Sequence, residues 1–451
     1  MEKFLFRKIE LWVVLLLLLL TVAAAVLFGG IVRSVSADRD KFGAVGKAAW
    51  TVASIPGNIR SVLKEAGTNT QLAVDDSSRF AGQRGWVAGA AANPPMAGYL
   101  LHSRYDGDAG HSVIELTDLA AFEVLHRIDL RGDAYFDGAD RSTPLRPTGH
   151  WSTRLFRAIH PIAVDGGDLL VKDHTSPLAR IDACGERVWM KDEGLYHHSS
   201  ERGADGTIWT STHLRRSAIP GAAEDFFDDT VINLSAGGEI LYERSIAEVM
   251  LQQGYGHILF GRSPFYRDPI HLNDVEPVLE DGPHWRRGDV FVSLRHASAV
   301  LLFRPSTDEI VWLRQGPWSA QHDVDILDDH RIGIFNNNMH DRGSGERVEG
   351  VNEILVYDFA RDTVSSPYRA WLEREDVRTP SEGLFTILPS GHLMVEETDA
   401  GRLVFFSPDG GLAASHVNRT GGNEIWRQSW SRYLPPAEGA ALLAEMRDKG
   451  C

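Results

Sequence analysis

The sequence predicts an all-β protein, a six-bladed β-propeller preceded by an N-terminal transmembrane helix and a short helical tether. Three observations carry that expectation: a strand-and-turn unit that repeats beyond residue 95, an uncharged apolar run at residues 11–32, and a globular composition. Of 451 residues, 43% are hydrophobic and 24% charged, which excludes disordered, collagen-like and coiled-coil chains. One large β domain or two to three smaller domains would fit that length.

The repeat decides between them, because a period of this size sets the architecture. Its unit is a Gly-containing turn, a strand, a loop, a second apolar strand, a turn and a third strand. Copies start at Gly98, Gly167, Gly206, Gly288, His330 and Gly391. In one of them, Gly167-Asp168-Leu169-Leu170-Val171 leads to Leu178 to Asp182, the turn Ala183-Cys184-Gly185, and Arg187-Val188-Trp189. Units of three or four strands cannot bury both faces alone, and radial stacking covers the faces and protects the edges. The six copies therefore predict six blades over residues 96–440. The stretches 131–155, 214–228, 243–287 and 361–380 read as inter-blade loops capping one end of a channel. Ile425 to Leu434 is placed to pair into the first blade and close the ring, and residues 441–451 read as a C-terminal tail.

The apolar run from Leu11 to Val32 spans 22 residues, roughly 33 Å as a helix, enough to cross a bilayer. Lys3, Arg7 and Lys8 precede it, so residues 1–10 are expected in the cytoplasm and the propeller on the periplasmic or extracytoplasmic side. Val35-Ser36-Ala37 resembles a signal-peptidase site, but the run is longer than a usual signal h-region, and an uncleaved anchor is expected. Residues 33–95 read as a linker with an amphipathic helix through Trp50, Val52, Ile55, Ile59, Val62 and Leu63.

The 46 Lys and Arg against 62 Asp and Glu give a net charge of −16, which excludes nucleic acid as a partner. With only Cys184 and Cys451, no disulfide is expected to hold the fold together. There is no Walker A sequence, no His-Glu-x-x-His and no Gly-x-Ser-x-Gly. A nucleotide-borne donor is therefore not expected, and no cofactor is predicted.

Histidines recur at a similar phase ahead of the repeats. His160 lies 7 residues before Gly167, His198 lies 8 before Gly206, His322 lies 8 before His330, and His271 lies 17 before Gly288 with a polar insertion between. Residues equivalent in phase become equivalent in space around a propeller axis, so these imidazoles should ring one mouth of the channel. Arg295 follows the strand that His271 leads into. Several imidazoles and a guanidinium make a site for an anion. A metal centre is the chemical competitor, since imidazoles ligate zinc, copper and iron, although a guanidinium beside a divalent cation is unfavourable.

These segments resemble the bacterial arylsulfotransferase family, the aryl-sulfate sulfotransferases. The likeness covers roughly residues 150 to 435 and rests on His197-His198, His271-Leu272-Asn273-Asp274, Val292 to Ala299, Gly316 to Asp323, and Leu388 to Leu393 with Gly401-Arg402-Leu403. The resemblance implies a six-bladed, exported enzyme that moves a sulfuryl group from an aryl sulfate to a phenolic acceptor through a sulfohistidine, without a nucleotide donor. It implies catalytic roles for His322 as nucleophile and for His271, Arg295 and His198, and substrate-binding roles for Asn273, His197 and His160. Between His197 and His198 the register is open, because Ser199 stands where the family often has Asp. The alternatives are a His-ligated metal-dependent propeller enzyme, an oxygenase or lyase, and a non-enzymatic propeller that binds anions or a protein partner.

Overall fold

The structure, a computed structural model, describes residues 10–36, 42–49, 51–53, 72–74, 78–91, 96–143, 145, 151–261, 264–343 and 345–451. Trp50, Ile55, Ile59, Val62 and Leu63 of the expected amphipathic helix lie outside those residues. The chain divides into two units, Met1–Thr70 and Gln71–Cys451.

In the first unit, Leu11–Ser36 is one helix of 26 residues. Its stretch Leu11–Ser34 is long and apolar enough to cross a membrane, and its apolar window is entirely unburied. An anchor and a signal sequence share these properties.

The second unit is a propeller-like set of antiparallel sheets. The first contains Tyr99–Asp106, His111–Asp118 and Glu123–Asp129, and is completed by Arg432–Leu434 from the other end of the chain. Tyr99, Leu100 and Leu101 pair with Leu434, Tyr433 and Arg432, the closure expected from the Ile425 to Leu434 segment. Next comes a seven-stranded sheet over Ile162–Val164, Asp168–Val171, Ser176–Ile181, Arg187–Arg202, Ile208–His213, Asp229–Leu234 and Ile240–Ser245. Its 16-residue strand Arg187–Arg202 changes partner along its length. Arg187 to Lys191 pair mainly with Ser176–Ile181, whereas Leu195 to Arg202 pair with Ile208–His213.

Three further sheets follow: Leu272–Pro277, Val290–Leu294, Ala299–Arg304 and Glu309–Gln315; His322–Ile326, Arg331–Asn336, Glu353–Asp358 and Thr363–Ser365; and Leu384–Ile387, Leu393–Glu397, Arg402–Phe406 and Leu412–Val417. Strand alternation explains how neighbouring sheets stack. Val290, Val292 and Leu294 join a core with Val231 and Ile246 on one side, while Phe291 joins Ile332, Ile334 and Leu355 on the other.

Four expectations need correction. The stretch 243–287 is not all loop: it holds helices Ile246–Gln252 and Gly256–Phe260 and the strand Leu272–Pro277. That strand escapes an apolar-run criterion because its buried side chains include Asn273 and Asp274. The expected linker 33–95 contains the strand Gly85–Ala88, which adds a fifth strand beside Leu412–Val417. Residues 441–448 of the expected tail 441–451 belong to the helix Pro436–Asp448. Its Leu442, Leu443 and Met446 pack into a core with Leu101, Leu116 and Ile181. Finally, Cys184 and Cys451, 267 residues apart, form a disulfide with a Cα–Cα distance of 5.5 Å. Counting cysteines misses it because that docked helix is what carries Cys451 to the turn holding Cys184.

Candidate active site

Six residues spaced along the second unit adopt left-handed backbone: His160 (φ 47°), His198 (φ 50°), His271 (φ 49°), Asp323 (φ 44°), Glu382 (φ 56°) and Trp430 (φ 58°). A residue with a Cβ loses roughly 1–2 kcal/mol in this conformation, and such strain gathers at functional sites. His160, Glu382 and Trp430 each stand two residues ahead of a strand, those beginning at Ile162, Leu384 and Arg432.

The side chains meet. The His198 ring lies 5.0 Å from that of His271, 6.2 Å from His322 and 5.1 Å from His197, centroid to centroid. Trp430 stands edge-on to three imidazoles, at 5.6 Å from His160, 6.1 Å from His198 and 6.1 Å from His322. A cavity of about 360 Å³ opens beside them, lined by His174, His197, His198, His213, His271 and Glu382 among others.

His322 is fully buried. Its Nδ1 lies 2.7 Å from Asn337 Oδ1, and the Asn337 amide is oriented because its Nδ2 donates to the carbonyls of Thr379 at 3.0 Å and Glu382 at 2.7 Å. Asn337 Oδ1 is therefore an acceptor, Nδ1 of His322 carries the proton, and Nε2 presents a lone pair. The Glu382 N–H donates to that lone pair at 3.2 Å, a long bond that an electrophile must displace. Burial, reinforced by the charge of Arg295, holds the His322 pKa well below the ordinary histidine value, so the ring is neutral. Burial does the same to His198 and His160 and lowers His197 to about 3.

Arg295 is buried and donates to His296 Nε2 at 2.8 Å; His296 Nδ1 in turn meets the carbonyl of Asp268 at 2.7 Å. His271 Nδ1 bonds Asp268 Oδ2 at 2.6 Å, which orients its ring. Asn273 holds the chain before His322 rather than facing a ring: its Nδ2 donates to Gln321 O at 2.8 Å. His160 sits behind Trp430 with Glu201 3.3 Å from its Nδ1. Ser199 Oγ and Asp323 Oδ2 play matching parts, accepting Val275 N at 2.9 Å and Phe385 N at 2.7 Å from the next sheet. His198 and His322 are thus the matching imidazoles, and His197 turns toward Asp229, 3.2 Å from its Nε2.

Sequence reasoning missed Asn337, the buried Arg157–Glu382 ion pair with His174 beside it, Asp268, His296 and Trp430. Glu382 lies 9 residues before Gly391, near the phase of His160, and is legible on that ground; no repeat start follows Trp430, so the phase does not reach it. Farther along the inner strands, Asp274 is pushed up to about 7 by burial and by Glu201, Glu276 and Asp325 are raised well above the carboxylate range by the same causes, and Asp323 is raised likewise by burial and by Asp325. Together the imidazole end holds a neutral His322 ring with an Nε2 lone pair, several N–H donors and the Arg295 guanidinium, next to a small cavity that His198 and His271 line.

Comparison with solved structures finds distant matches. A protein of unknown function from Bacteroides caccae shares 11% identity at a TM-score of 0.46, covering 75% of this chain and 99% of that one. Virginiamycin B lyase from Staphylococcus aureus shares 9% at 0.34, covering 62% and 84%. Kuenenia stuttgartiensis hydrazine synthase shares 12% at 0.36, covering 72% and 80%. No curated protein matches the chain. The family model described as Arylsulfotransferase (ASST) matches residues 160–419, more than half of the sequence, and the chain belongs to that family.

Proposed function

We propose that this protein is a membrane-anchored aryl-sulfate sulfotransferase working by two sulfuryl transfers through His322. The observation that carries this reading is the Nε2 lone pair of a neutral, buried His322, its tautomer set by Asn337. Nε2 attacks the sulfur of an aryl sulfate, the S–O bond to the phenol breaks, and the phenolate leaves with the bonding pair. A phenolic acceptor then attacks the sulfohistidine sulfur, the N–S bond breaks, and Nε2 recovers its pair. Arg295 and His198 stabilise the sulfuryl oxygens and the departing phenolate, and His271, its Nδ1–H held by Asp268, takes and returns the phenol proton. Asn273 and His160 position these groups.

We count six blades by assigning the two halves of Arg187–Arg202 to separate blades, each then having four strands. The helix Leu11–Ser36 anchors the protein, and the Cys184–Cys451 disulfide favours an oxidising, extracytoplasmic location for the propeller.

Incubation with 4-nitrophenyl sulfate and phenol tests the reading. Nitrophenolate release and a labile sulfuryl adduct in the intact mass are expected, and both should vanish in His322→Ala. Equal release by the two proteins would remove His322 from the chemistry.

A further inference from the structure

His197, His213 and Asp229 stand on three neighbouring strands of the seven-stranded sheet. His213 pairs directly with Asp229 on one side and with Leu195 on the other, so His197, two residues along from Leu195, projects from the same face. All three are buried, at 1%, 3% and 0% exposure. Their polar atoms converge: Asp229 Oδ1 lies 3.2 Å from His197 Nε2 and 2.9 Å from His213 Nδ1. At these distances neither contact has the geometry of a well-formed hydrogen bond. Three buried polar atoms that converge on one point with poorly formed bonds between them suit a common partner.

We propose that this partner is a divalent transition-metal ion of the zinc or ferrous type, bound by His197 Nε2, His213 Nδ1 and Asp229 Oδ1. Two imidazoles and one carboxylate suit such an ion, whereas magnesium and calcium select oxygen ligands. A tetrahedral ion with bonds of about 2.0–2.1 Å holds its ligand atoms roughly 3.3 Å apart, close to the spacing found here. The two rings are stacked at 4.0 Å and 14°, so binding turns one imidazole about its Cβ–Cγ bond until both lone pairs meet the ion. The other carboxylate oxygen is already held, since Asp229 Oδ2 accepts Leu272 N at 3.2 Å. His197 and His213 both line the cavity of about 360 Å³, which supplies an entry path and room for a water at the fourth position.

The site would also act on the imidazole cluster. His197 Nδ1 and His198 Nδ1 face each other at 2.8 Å, and one proton lies between them. With the ion on Nε2, His197 must carry that proton on Nδ1, and neutral His198 then holds its own on Nε2, as a donor. This consequence, a donor for a sulfuryl oxygen, rests on the proposed transfer; the ion itself does not.

The test uses the full untagged chain in detergent, stripped with a chelator and titrated with Zn²⁺ alone. One equivalent of zinc by elemental analysis and a higher melting temperature are expected, both lost in Asp229→Asn and His213→Gln and both kept in His322→Ala. Co²⁺ in place of zinc should give the intense visible bands of a four-coordinate site. The proposal is overturned if wild type retains no zinc, if stripped variants that melt with stripped wild type still bind an equivalent, or if bound Co²⁺ shows only the weak spectrum of the aqueous ion. Zinc bound without any sulfuryl adduct would leave the site standing and refute the transfer; an adduct formed by protein that retains no zinc on titration would refute the site alone.

Discussion

Asn337 Oδ1 and His322 Nδ1 lie 2.7 Å apart, and this contact decides which imidazole nitrogen carries the proton and which keeps its lone pair. Replacing Asn337 with Leu removes the acceptor and frees the ring to adopt the other tautomer. A fall in kcat on the order of 10²-fold is expected with KM little changed, since the change acts on the nucleophile. Steady-state kinetics with 4-nitrophenyl sulfate checks it, and a rise in KM alone would count against a tautomer role.

The reactive form of His322 is the neutral one, and its pKa lies well below the ordinary 6.5 because of burial and Arg295. Protonation, which removes the lone pair, is therefore postponed to pH values well under 6.5. The first-turnover burst of nitrophenolate should stay flat from pH 8 down through 6.5. In Arg295→Met one cause of the depression is gone, the pKa rises, and the acid limb should move toward neutral pH. Rapid-mixing measurements across this range read the difference directly.

Removing the Cys184–Cys451 bridge by Cys451→Ser should cost about 2–4 kcal/mol. The loss belongs to the docking of Pro436–Asp448, which lies apart from the imidazoles, so the midpoint of urea unfolding falls while kcat holds. Urea titration of both proteins, with and without reductant, provides the measurement.

At His160 (φ 47°) backbone strain and side chain can be separated. His160→Gly and His160→Ala lose the same ring contact with Trp430, but only glycine relieves the left-handed strain. The glycine variant should be more stable than the alanine variant by roughly 1 kcal/mol. Thermal melts of the pair decide the point.

Much of the molecule was readable from residues alone. The Gly-led repeats located the outer strands, and the phase of His160, His198, His271 and His322 located the cluster. What stayed hidden was polar and inner. The strand Leu272–Pro277 has buried Asn273 and Asp274 where an apolar pattern is sought. Asn337 and Asp268 act through the histidines they hold, and no local spacing links them to those rings. The docking of Pro436–Asp448 depends on a groove made by residues more than 250 positions earlier, such as Gly167, whose N–H is capped by Glu445 at 2.8 Å.

The strand Arg187–Arg202 runs unbroken from one set of partners to the next. A ring of sheets is weakest where only side chains mesh between neighbours, and here the two halves of a seven-stranded sheet share one unbroken strand. Mechanical or thermal opening has to begin elsewhere on the circumference. Because His198 rides on this bridged arc while His322 opens a separate sheet, the gap between their rings is the dimension that breathing of the ring alters first.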